Sequence, residues 1–251
     1  AANLALQGGA QLSTSSRGVG AGGTVVVRGS GGADTSASSL TITGAGSGLF
    51  STTSGSGAGG SITANANQIM ISSGGTVSAA STGSGNAGSV TMTATGPIVI
   101  DGGTISTSAQ TAQGGDITLT SGDSVTLENN ALVSASSAGP GDAGAITINA
   151  GTQYLSTNSA VTTRAEQASG GDITVNATDM VQLINSQINT SVAGGSATKG
   201  GNINIDPQFV ILQNSDIIAQ AFAGTGGNIN IVAGTFLADP SSLVDASSQL
   251  G

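Results

Sequence analysis

Short alternations of apolar and polar residues recur along the chain. Ile117-Thr118-Leu119, Ile146-Thr147-Ile148 and Ile203-Asn204-Ile205 each set branched aliphatic residues two apart, with Thr or Asn between them. Stretches of this period, four to six residues long and bounded by Gly, Asn and Ser, are strands with one face turned inward. Each is led by a glycine motif: Gly22-Gly23, Gly59-Gly60, Ala87-Gly88, Gly114-Gly115, Ala143-Gly144, Gly170-Gly171, Gly200-Gly201 and Gly226-Gly227. The second glycines lie 26 to 30 residues apart, except for one interval of 37, which places an insertion near residues 29–39.

Two further apolar segments follow each glycine motif at matching offsets. One runs Leu4/Leu6, Leu40/Ile42, Ile69/Ile71, Ile98/Ile100, Val125/Leu127, Val181/Leu183 and Val210/Leu212, with Tyr154-Leu155 as its irregular member. The other runs Leu12, Leu49, Val77, Ile105, Leu132, Val161, Ile188, Ile217 and Leu243, mostly after Gly-Gly or Asn-Ser. Three short strands per repeat, with a fixed period, predict an all-β fold: a right-handed, three-sided parallel β-helix of about nine coils of ~27 residues, forming one domain over residues 1–251. Stacking at about 4.8 Å per coil makes equivalent side chains into ladders, with Ile117, Ile146, Ile173, Ile203 and Ile229 inside and Asn202 and Asn228 on a turn.

One coil cannot bury its apolar face alone, so such arrays need neighbours at both ends. The first and last strands, carrying Leu4 and Leu6 and then Leu243 and Val244, are therefore expected to self-associate head to tail or to meet missing flanks of a longer chain. The absence of an initiating Met and of a charged leader reads as a mature or trimmed segment.

Composition narrows the chemistry. The 251 residues include 42 Gly but no His, Cys or Trp. That removes histidine-based triads, cysteine nucleophiles and zinc sites of the usual ligands. A net charge of −9, with Arg17, Arg28, Arg164 and Lys199 as the cations, leaves no basic stripe, so nucleic acid is not an expected partner. Disorder, the other reading of a Gly- and Ser-rich chain, conflicts with the regular aliphatic positions.

The blocks Gly-Asp-Ala-Gly-Ala-Ile-Thr-Ile-Asn-Ala (141–150), Gly-Gly-Asp-Ile-Thr-Val-Asn-Ala (170–177) and Gly-Gly-Asn-Ile-Asn-Ile-Asp (200–206), with the tail through 216–231 and 241–248, resemble filamentous haemagglutinin-like exoproteins of Gram-negative bacteria, especially the cyanobacterial ones. The resemblance spans nearly the whole chain. It implies two-partner secretion through an outer-membrane pore partner, a location at the cell surface or beyond it, and a role in adhesion, aggregation or biofilm. It supplies no binding residue.

Each candidate site has a competing structural role. Asp116, Asp172, Asn202 and Asn228 follow Gly-Gly and resemble half of a calcium-binding nonapeptide, but the second Gly-x-Asp that would complete the oxygen cage is missing. Turn capping is the expected role; Asp116 and Asp172 are the weak metal candidates, with calcium as the ion they would hold, and no other cofactor is expected. Arg164 and Glu166 share a loop as a small polar pair, and Phe209, Phe222 and Phe236 fall close together near the carboxyl end, where core filling or end packing is expected over a hydrophobic patch for a partner. The carboxylates are otherwise scattered and aromatic platforms for sugars are few, so no enzyme activity and no catalytic residue are expected. The expected function is a secreted structural or adhesive rod, assembling end to end. The alternative is an adhesin segment that binds a glycan or cell-surface receptor through residues 29–39 and 193–199.

Overall fold

The computed structural model describes residues 2–32 and 35–250, and every regular element among them is a strand. The strands stack as a parallel β-solenoid with three faces. Those of the first face run from Val25–Val27 through Ile117–Ser121 and Ile146–Ala150 to Ile229–Ile231. Those of the second run from Asn3–Gln7 to Thr235–Ala238, and those of the third from Gln11–Ser16 to Leu243–Asp245. The third face is a nine-stranded sheet. The other two merge into one 16-stranded sheet, because Ile62–Ser72 runs from first face to second without a break.

All the ladders are parallel and each keeps its register. The expected nine coils correspond to the nine rungs of the second and third faces. The first face has eight rungs, so the solenoid makes about seven complete turns of ~28 residues, with partial turns at both ends.

Alternation sets what is inside. In Ile117–Ser121 the first, third and fifth side chains are buried and the intervening threonines are partly exposed. Stacking then builds continuous columns: Ile62, Val90, Ile117, Ile146, Ile173 and Ile203 are completely buried, and Ile229 closes the column partly covered. Equivalent columns rise on the second face through Ile69, Ile98, Val125, Tyr154 and Val181, and on the third through Leu49, Val77, Ile105, Val161, Ile188 and Ile217.

Three expectations change in detail. On the third face the inward column passes through Val133, buried, rather than Leu132, and through Val244 rather than Leu243, because Val133 pairs with Ile105 and Val161 and Val244 pairs with Ile217. Adjacent aliphatics in Leu132-Val133 and Leu243-Val244 leave the alternation ambiguous until the neighbouring rungs fix it. On the second face, Tyr154 takes the inward site of Val125 and Val181, and Ser156 takes that of Leu127 and Leu183. The long repeat also resolves. Val27 pairs with Ala64 and Ala37 with Ala66, so the strand breaks after Val27 and resumes at Ala37, where the next turn has Asn65 alone between the paired positions. Ala37–Ser39 of the expected insertion thus belong to a strand, and residues 33 and 34 lie outside the described residues.

Candidate functional site

Three corners separate the faces, and most of the distinctive residues in the sequence sit on them. At the corner leading into the first face, the second glycine of each motif stacks on its equivalent one turn below. A Cβ at Gly60, Gly88, Gly115, Gly144, Gly171, Gly201 or Gly227 would lie 1.9–2.1 Å from the carbonyl oxygen of the glycine beneath it. No side chain fits there, which is why this position is Gly in every repeat. The position before it is Ala in two repeats, Ala87 and Ala143.

The carbonyl of that same glycine is held from inside the solenoid. Thr163 Oγ1 donates to Gly171 at 2.7 Å, Thr190 Oγ1 donates to Gly201 at 2.8 Å, and Thr107 Oγ1 donates to Gly115. These threonines occupy the second inward position of the third face and are fully buried, so the bond offsets the cost of enclosing a hydroxyl.

At the corner between second and third faces the backbone turns through positive φ at Ser73, Asn129, Asn130, Asn158, Asn185 and Asn214. Asn tolerates this left-handed conformation better than other side chains. Each following Ser accepts from the turn before it: Ala131 N–H donates to Ser159 Oγ, Ser159 N–H to Ser186 Oγ, Ser186 N–H to Ser215 Oγ and Ser215 N–H to Ser242 Oγ, each at 3.1 Å. The Asn-Ser pairs are therefore a hydrogen-bonded staircase. Asp239 extends it, accepting from Asn214 N–H and from Ser242 Oγ, and the Ser242 hydroxyl foremost holds its carboxyl below the usual carboxylate value.

The expected metal candidates stand in line but apart. Asp116 Oδ1 accepts from Ala145 N–H at 2.8 Å; Asp172 Oδ1 accepts from Asn202 N–H at 2.7 Å, and Asn202 Oδ1 from Asn228 N–H at 3.0 Å. Ala145 occupies the rung between Asp116 and Asp172, so the two carboxylates are two turns apart, roughly 10 Å. A single calcium ion bound at about 2.4 Å from each ligand cannot bridge them. Among the described residues, no three His, Cys, Asp or Glu side chains gather as a metal site.

The remaining candidates are distributed. Phe209, Phe222 and Phe236 do not form one patch: Phe236 continues the inward column of Val210, Phe209 pairs beside Met180 on the second face, and Phe222 lies at the corner that leads into the first face. Leu6 is buried and Leu4 partly so, whereas Leu243 and Val244 are 48% and 43% exposed on the last rung. Arg164 and Glu166 form an exposed ion pair at 3.2 Å. Within residues 193–199 the Thr198 hydroxyl lies 2.7 Å from Gly195 O, and it reaches the next turn at Ala223 O, 3.2 Å away.

Tyr154 is the unusual interior group. Burial pushes its hydroxyl far above the ordinary tyrosine pKa. Neither this hydroxyl nor that of Ser156 has a partner in hydrogen-bonding geometry.

One feature escapes sequence reading altogether. Arg164, Ser191 and Gln220 are successive members of a single outward column on the third face. Around them Val192, Ala193, Ala221, Phe222 and Gln249 complete a hollow of about 450 Å³. Its parts lie in four successive repeats, and only the rung register brings them together. A second hollow, of about 570 Å³, follows the Asn-Ser staircase past Asn158, Asn185 and Asn214.

Comparison with protein-family models, with curated proteins and with solved structures found no match to this chain. The fold itself defines the class: a parallel β-solenoid, compatible with the haemagglutinin-like β-helices that the repeat blocks resemble.

Proposed function

We propose that the chain is a structural and adhesive rod, exported to the cell surface or the extracellular matrix. One observation carries this reading: the glycine, asparagine, serine and aspartate residues of the repeat motifs are committed to stacking. The stacked glycines admit no side chain, the asparagines make the turns, the serines link turn to turn, and Asp116, Asp172 and Asn202 accept backbone N–H groups. Such a rod transmits load through its backbone ladders and presents repeated Ser, Thr and Asn side chains for weak multivalent contacts. Two-partner export through an outer-membrane pore, of the kind the repeat blocks suggest, belongs to the same proposal. So does end-to-end association through the strands carrying Leu4, Leu6, Leu243 and Val244.

Immunogold electron microscopy of producing cells, using antibody raised against the purified chain, tests the reading. Label on the outer surface or on extracellular fibres is the expected result; label confined to the cell interior overturns it.

A further inference from the structure

We propose that the hollow around Ser191 binds the carboxylate and ring of an acidic sugar, a hexuronate, giving the rod one discrete ligand site among its repetitive surfaces. The inference builds on the adhesive reading above, and its failure would leave the rod's mechanical role untouched.

The site arises from a difference in side-chain length. The outward column that contains it reads Ser108, Ser136, Arg164, Ser191 and Gln220. Short Ser191 between two long side chains leaves a notch one rung wide. Its floor is apolar, from buried Val192 and Ala221 with Ala193, and Phe222, 51% exposed, forms a side wall. The backbone that carries this wall is held on both sides: Phe222 N–H donates to Val192 O at 2.8 Å and Leu250 N–H donates to Phe222 O at 3.0 Å.

The polar groups converge from the remaining sides. Arg164 supplies the cation, and a guanidinium presents five N–H donors in a fork that matches a carboxylate. One of its Nη atoms meets Glu166 Oε1 at 3.2 Å. Gln220 donates its amide to Asp245 at 2.6 Å, leaving its carbonyl oxygen to accept, while Gln249 and the Ser191 hydroxyl add further polar groups. A cationic fork, an aromatic wall over an apolar floor, and amides at the rim match a pyranose ring that carries one carboxylate. The volume is that of a small-ligand pocket. The net charge of −9 opposes any anion at long range, so binding is local, weak and sensitive to salt. Glu166 and Asp245 are the acidic neighbours, and Glu166 competes directly for the guanidinium.

The test uses the isotopically labelled chain and sodium glucuronate, with glucose as the neutral control. Glucuronate is expected to shift the NMR signals of the Arg164 side chain and of the Gln220 and Gln249 amides, and glucose is not. Arg164→Ala should weaken binding at least tenfold while leaving the rest of the spectrum in place, since this side chain points outward. Glu166→Gln should tighten binding several-fold by freeing the fork. No response at the notch, an equal response to glucose, or binding unchanged in Arg164→Ala would overturn the proposal.

Discussion

At the scale of single residues, steric exclusion and hydrogen-bond satisfaction determine what each position accepts. Gly171 is one such case, since a methyl group there would sit 1.9 Å from Gly144 O. The atoms it would meet, in Gly144 and Ala143, are all backbone and cannot rotate away. Gly171→Ala should lower stability by about 3 kcal/mol, read as the shift of a urea unfolding midpoint. Gly195→Ala is the matched control, because nothing lies within 4 Å of its added Cβ, and it should leave the midpoint unmoved. Tyr154 gives the opposite case. Its buried hydroxyl has no partner, so Tyr154→Phe should stabilise the chain by about 1 kcal/mol. The pH dependence has a definite sign. The folded phenol keeps its proton above the unfolded value, so its contribution is intact below about pH 10 and is lost as pH rises beyond that. Alkaline titration followed by circular dichroism should therefore unfold the wild type earlier than Tyr154→Phe.

At the scale of elements, the sequence showed which segments are strands, because period-two alternation and the glycine motifs are both local signals. It fell short where two aliphatic residues are adjacent. Leu132 and Val133 satisfy the alternation equally well, and only the pairing with Ile105 and Val161 decides between them. Val133→Asn should cost about 3 kcal/mol, through an amide enclosed without a partner, whereas Leu132→Asn should cost less than about 1 kcal/mol. Equal midpoints for the two variants would mean that the register of this rung is wrong. The Asn-Ser pairs were recognisable as turns, but their staircase was not, since the acceptor of each bond lies a full repeat away. The same holds for the buried threonines that reach the glycine carbonyls. The notch around Ser191 was hidden for this reason too: Arg164, Gln220 and Gln249 become neighbours only once the rungs are stacked.

At the scale of the whole molecule, the fixed period made the solenoid legible, and the single long interval located the break between Val27 and Ala37 to within a few positions. The number of complete turns was less accessible, because partial turns at both ends contribute rungs to two faces but not to the third. What stacking gives the molecule is continuity, with each turn supporting the next through three parallel ladders and none interrupted by a helix among the described residues. Such an array should yield under load one turn at a time, as nearest-neighbour interfaces give way in sequence. Single-molecule pulling from the two ends tests this directly. Discrete force peaks are expected, separated by contour increments of about 100 Å, the extended length of one turn of ~28 residues. A smooth extension without peaks, or a single release of the entire contour length at low force, would contradict it.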